Sequence, residues 1–525
     1  MILHSPSLKL RIGVTLLIAS LSGCVSYGGI NSSQSMLNAT ELATEKSYES
    51  VAPEIDEWPT LSWWQSFNDP QLDALISEAL QNSPSLALAA AKVGRASAAL
   101  QNARARALPA VALSANANRQ RYTENGMYPA PLGGSIQTSG NIGLQAQYEL
   151  DFWGRNRAAT AASRSRIAAA QAESASVELL LASAVAKTYF QLAQLQMFLR
   201  IGESALEQRQ HIYALTKQRV DAGLDTQVEL KQAETQLPLT RTNIAMVNEN
   251  IVNTQHALAA LLGAGPDRML TLQASLVDVG GSSDLYLAPQ DLQIALVGHR
   301  PDLVAARWQV EATLQDADAS KAAFYPNVNL LAFAGLSSID LDQLLRAGSE
   351  NYSAGPALSL PIFDGGRLRA ALKMRYADYD AAVANYNQTL VAALRDVADQ
   401  LNSYRFLQTQ IEQQALALDA ASEAYDLALA RYDAGLGNYL TVLNAQSMVI
   451  QQEAFRSQLL MLILTNRIEL SRALGGGYPN LEVRADVTTE QSARSETKAQ
   501  LAAGKVITNN NLLTPGNARV GAEYD

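Results

Sequence analysis

Cysteine is almost absent from this sequence: Cys24 is the only one among 525 residues. A disulfide framework or a multi-thiolate metal site within one chain is thereby excluded. Histidine is nearly as scarce. His4, His211, His256 and His299 are the four, and none has a second His three or four residues on, so helical zinc motifs are missing. An excess of basic charge is lacking too. Forty Lys+Arg face 50 Asp+Glu, a net charge of −10, and nucleic acid is not an expected partner. No GxSxG, Walker A loop or Cys–His pair occurs, so nucleophilic catalysis and a self-powered pump both lack their machinery. Acidic pairs such as Asp316 and Asp318, or Asp396 and Asp399, read as solvated helix faces. The expectation is no enzyme, no metal and no cofactor beyond covalent lipid.

Long apolar runs are missing as well. Lys9 and Arg11 precede a short one, Ile12 to Ala19. A helix needs about 20 apolar residues to cross a ~30 Å hydrocarbon core, so this one falls short. A basic start, a short apolar stretch and small residues together read as a secretory signal over residues 1–23. It closes on Leu21-Ser22-Gly23-Cys24, which resembles a bacterial lipobox. That resemblance implies a diacylglycerol and an N-acyl chain on Cys24, the mature N-terminus. Val25 and Ser26 resemble no inner-membrane retention signal, which favours outer-membrane delivery. Cleavage would remove two basic and no acidic residues, taking the net charge from −10 to −12. Residues 24–60, rich in Ser, Asn, Thr and Glu, read as a lipidated leash. Residues 476–525 read as a weakly periodic tail, in part disordered.

What the sequence does have is a repeat. Pro84 and Pro109 recur as Pro301 and Pro326, an offset of 217 both times. Leu150-Asp151-Phe152-Trp153-Gly154-Arg155 answers Phe363-Asp364-Gly365-Gly366-Arg367, and Asp221-Ala222-Gly223-Leu224 answers Asp433-Ala434-Gly435-Leu436. Three landmarks in one order define two halves, 61–285 and 290–475.

Each half has the same grammar. Ser83 is an expected N-cap with Pro84 in the first turn, and Pro109 stops the helix. Two alternating strands follow, around Val111–Asn116 and Asn141–Leu150, and in the second half around Asn327–Ala334 and Tyr352–Leu360. A very long helix comes next. Arg155–Asp221 holds no proline and one glycine, Gly202, while Arg367–Asp433 holds neither. The rows Leu181, Val185, Tyr189, Leu192 and Val383, Tyr386, Leu390, Leu394 advance by threes and fours. At 1.5 Å per residue each helix reaches about 100 Å, a length that points to coiled-coil packing. Return helices run to about Leu262 and Leu474, with Gly223 and Gly435 suited to left-handed turns.

Strands with one apolar and one polar face, in a lipoprotein without a membrane helix, point to a membrane β-barrel. Four strands are too few to close, since about eight is the lower limit, and open edges are not tolerated in lipid. Three copies would give twelve strands around a wet interior. A soluble sheet packed on a helical bundle is the alternative.

These residues resemble the outer membrane efflux protein family, the TolC-like channel-tunnels, and within it the lipoprotein branch of tripartite RND-type systems. The carriers are the lipobox, Trp63-Trp64-Gln65-Ser66-Phe67-Asn68-Asp69-Pro70, the segments around Asp151 and Asp364, Arg300-Pro301-Asp302-Leu303 and both Asp-Ala-Gly-Leu turns. The resemblance covers residues 60–475. It implies an α+β membrane channel: a homotrimer with a 12-stranded β-barrel, four strands per chain, continuous with a 12-helix α-barrel. Part of the tail would sit at an equatorial girdle. It further implies a passive outer-membrane conduit for small molecules, served by a periplasmic membrane fusion adaptor and an inner-membrane RND-type pump. The adaptor would dock on tips at Gly223, Leu224, Gly435 and Leu436. A periplasmic gate would use Glu229, Tyr432, Thr441 and Asn444, with Tyr432 bonded to Glu229 and no acidic ring at 441 and 444. A protein-secretion conduit and a structural envelope lipoprotein are the rival functions.

Overall fold

The structure is a computed structural model and describes residues 26–48, 58–274 and 298–479. The signal segment, Cys24, the boundary between the repeats at 285–290 and the tail from residue 480 lie outside the described residues. In the first half, α1 (Pro70–Asn82) and α2 (Pro84–Arg106) lead into β1 (Ala110–Arg121), β2 (Ile136–Leu150), α3 (Arg155–Asp221) and α4 (Gln227–Leu261). In the second, α5 (Pro301–Ala322) leads into β3 (Asn327–Ser338), β4 (Glu350–Ser359), α6 (Arg367–Asp433) and α7 (Tyr439–Ala473).

The landmarks have local reasons. Ser83 caps α2 with Pro84 in its first turn, and Pro109 and Pro326 stand just before β1 and β3, where a missing amide donor harms no helix. The long helices α3 and α6 are each 67 residues. Asp151 accepts the N–H groups of Asn156 and Arg157 at 3.1 and 2.9 Å, and Asp364 accepts those of Gly366 and Leu368 at 3.0 and 2.8 Å. Each carboxylate thus satisfies orphan donors at the positive end of a helix. Far down, Gly223 and Gly435 adopt φ of +76° and +77°. The N–H groups of Leu224 and Leu436 reach back to the carbonyls of Arg219 and Arg431, both at 2.8 Å, closing two equivalent Schellman turns.

α3 packs against α2, α4, α5 and α7, and α6 against α5 and α7. One core gathers Trp63, Trp64 and Phe67 with Tyr189 and Phe190 of α3, Leu258 of α4 and Ile468 of α7. A second gathers Leu303, Val383, Tyr386, Leu390, Leu394 and Leu470. Beside the second core, the buried Arg300 donates to Asp302 at 2.6 Å and to the carbonyl of its member Ala473 at 3.4 Å, and lies 3.7 Å from Asp396. Asp396 also faces Arg472 at 3.7 Å, and Asp316 is paired with Arg166. These two carboxylates are therefore not solvated faces as expected: neighbouring helices bring arginines to them.

Residues 26–48 run along α6. Arg369 donates to the carbonyls of Ser26 and Gly28, and Asp380 accepts both Ser32 and Ser33 hydroxyls at 2.7 and 2.8 Å. Asn387 accepts the Leu37 N–H at 2.8 Å, and the Tyr48 hydroxyl donates to the Leu394 carbonyl at 2.9 Å. Positions 380, 387 and 394 are seven apart, one stripe of a helix.

The sheet is antiparallel in the order β1-β2-β3-β4. Register aligns apolar rows across it: Leu113, Leu144, Ala334 and Tyr352 in one, Ala146, Ala332 and Ala354 in the next, then Tyr148, Leu330 and Pro356. The opposite face carries Ser114, Asn116, Asn141, Gln145, Ser337 and Asn351. Almost every residue of β1 and β4 is exposed, on both faces. Neither edge of the sheet has a partner strand among the described residues.

Candidate functional site: the helix-hairpin tips

The two hairpins, α3–α4 and α6–α7, are tied together one turn above their ends. The Arg219 guanidinium forks onto Asp225, with Nε–Oδ2 at 2.8 Å and Nη2–Oδ1 at 3.2 Å. Its third nitrogen donates to the Tyr432 carbonyl at 3.1 Å, and its plane lies 4.5 Å from the Tyr432 ring centre. The Tyr432 hydroxyl donates to Asp225 Oδ2 at 2.7 Å and lies 3.0 Å from the Thr216 hydroxyl. Tyr432 is fully buried, among Ile212, Ala233, Tyr439 and Val442. Burial pushes its phenol up to about 12. The fork from Arg219 holds the Asp225 carboxyl below the ordinary carboxylate value, and the same bond raises Arg219. The chemistry is that of a charge-assisted knot, not of proton transfer.

The expected bond between Tyr432 and Glu229 is not made. Glu229 is the third residue of α4 and reaches back to its own N-cap, accepting the Thr226 N–H at 2.9 Å and the Thr226 hydroxyl. That capping box consumes the carboxylate and holds it below its usual range. Asp225, one residue before the cap, is the acid that reaches Tyr432. Its signal in the sequence is a break in the repeat: Asp225 stands where the second tip has Gly437. There a Cβ would lie 3.2 Å from the Tyr432 nitrogen.

Thr441 and Asn444 are both exposed, on the first two turns of α7. Thr441 is spent locally, its N–H and hydroxyl both donating to Asn438 Oδ1 at 3.0 and 2.9 Å. Leu224 and Leu436 are 66% and 74% exposed at the extreme tips, unlike the buried Tyr432 behind them. Higher up, Gln446 donates to Gln208 Oε1 at 3.0 Å, a second polar tie between α7 and α3. Where helices meet strands, Trp153 donates to the Pro326 carbonyl at 2.7 Å and stacks on Tyr325, while Phe363 is 89% exposed.

A sheet with one apolar face, joined to two helix hairpins whose 67-residue helices reach about 100 Å and whose tips are knotted together, has the architecture of an envelope channel-tunnel subunit. The profile described as Outer membrane efflux protein matches residues 75–264 and 293–476, and the chain belongs to that family. It is 34% identical over 429 residues to the multidrug resistance outer membrane protein MdtP of Escherichia coli K12, covering 80% of this chain and 87% of the relative. It is 33% identical over 377 residues to the fusaric acid resistance protein FusA of Burkholderia cepacia, covering 70% of each. Among solved structures, the outer membrane protein VceC of Vibrio cholerae superposes with a TM-score of 0.76 at 36% identity, over 80% of this chain and all of that one. The protein is an outer-membrane efflux channel.

Proposed function

We propose that three copies close into a 12-stranded barrel continuous with a 12-helix tunnel, forming a passive duct for small molecules. The observation that supports this most is the bare sheet: four strands with aligned apolar rows, exposed edge strands and, among the described residues, no partner at either edge. In lipid such edges must be paired, and a second and third copy are the partners that pair them. A periplasmic membrane fusion adaptor would grip Gly223, Leu224, Gly435 and Leu436, and an inner-membrane RND-type pump would supply energy. Lipid on Cys24 would anchor the chain to the outer membrane, with the tunnel projecting into the periplasm. The knot of Arg219, Asp225 and Tyr432 would hold the tunnel in a narrow, weakly conducting resting state, with Thr441 and Asn444 lining an uncharged constriction. Multidrug and fusaric acid resistance in the relatives supports small, chemically varied cargo. Planar-bilayer recording of the purified protein tests the duct. Stepwise ion conductance is expected, and its absence from a folded, inserted protein contradicts the reading.

A further inference from the structure

Two side chains break the polar face of the sheet. Leu331 and Phe333 stand mid-strand on β3, opposite Gln147 and Gln145 of β2. Leu331 is 45% exposed. Phe333 lies across two glycines: a Cβ on Gly143 would come within 2.6 Å of its ring, and one on Gly335 within 3.0 Å. Glycine at these positions leaves room for the ring against the backbone, and Phe333 stays half-exposed. Neither side chain belongs to the apolar rows, because successive strand residues alternate between faces. An exposed leucine on a wetted face gains little from burial, so folding alone does not account for it. The rest of this face is nearly uncharged: Glu149, at the end nearer the helices, is its only ionisable residue in the four strands.

We infer that Leu331 and Phe333 form a contact site for planar aromatic cargo on the inner wall of the duct. This rests on the trimeric barrel, in which the polar face lines the water and the site recurs three times at one height. A flat ring face offers stacking and cation–π contact, the leucine adds apolar area beside it, and a neutral wall repels neither sign of charge. The test compares ethidium with tetraethylammonium, a cation of equal charge without a ring, as blockers of potassium chloride current through single channels. The doubly substituted Leu331→Asn/Phe333→Leu protein keeps volume over Gly143 and alters only an exposed position besides. Ethidium dwell times are expected to fall about tenfold in this variant, with tetraethylammonium dwell times and open conductance unchanged. Equal ethidium dwell times in the two proteins overturn the inference while leaving the duct intact. A wild-type protein that inserts but passes no current sinks the barrel and this site together.

Discussion

Asp225 sits one residue outside the N-cap of α4, and that offset decides which carboxylate reaches Tyr432. Glu229 was the acid picked out by resemblance, yet an acid three residues into a helix is drawn to its own cap. Such competition between local and long-range partners is settled by geometry that spacing alone does not display. Tyr432 was picked out by the same resemblance, as the tyrosine of the tip, and the structure makes it the buried centre of the knot. Removing its hydroxyl by Tyr432→Phe takes away a bond to a charged group, about 1.5–3 kcal/mol of closure. Resting conductance in planar bilayers is expected to rise, and unchanged conductance would contradict the latch. The same knot fixes a pH window. Asp225 titrates below its unfolded value, so its contribution is present above about pH 4 and is lost as pH falls through the depressed value. Tyr432 is raised to about 12, so its contribution holds below about pH 10 and fades as pH climbs through 10 to 12. Resting conductance should therefore be flat between pH 5 and pH 9, within the window those two shifts define. A steep rise on moving from pH 8 to pH 5 would show that another group controls the tips.

Elements were read more fully than contacts. Both long helices occupy the ranges their missing prolines and glycines mark out, Arg155–Asp221 and Arg367–Asp433. The strands are longer than the alternation suggested: β1 continues to Arg121 and β3 to Ser338, because ladder pairing carries them past their last apolar residues. The N-terminal segment was legible as extended but not as docked. The sites that hold it, Asp380 and Asn387, look like ordinary solvated helix positions until their sevenfold spacing meets a partner. At the tips, Gly223 serves the turn through its φ of +76°, with nothing within 4 Å of a Cβ placed there. Gly223→Lys is expected to strain the turn by about 1–2 kcal/mol, too little to unfold helices of this length. Crosslinking to the adaptor should fall while the yield of assembled protein holds. Loss of assembled protein instead would reduce Gly223 to a helix terminator.

At the scale of the whole molecule, acylation and assembly are what the single chain leaves to be measured. The described chain begins at Ser26, whose carbonyl is held by Arg369 in the first turn of α6. Cys24→Ser should abolish palmitate incorporation during growth, and label retained on that variant would remove the anchor from the account. The fold at this scale was legible because it is written twice, and the open sheet was legible because four strands cannot close. The number of copies is the part that one chain cannot carry in its own contacts. Mass photometry of the detergent-solubilised protein measures it directly: a single species of three chains is expected, and a monodisperse monomer that still conducts would contradict the closure on which the channel rests.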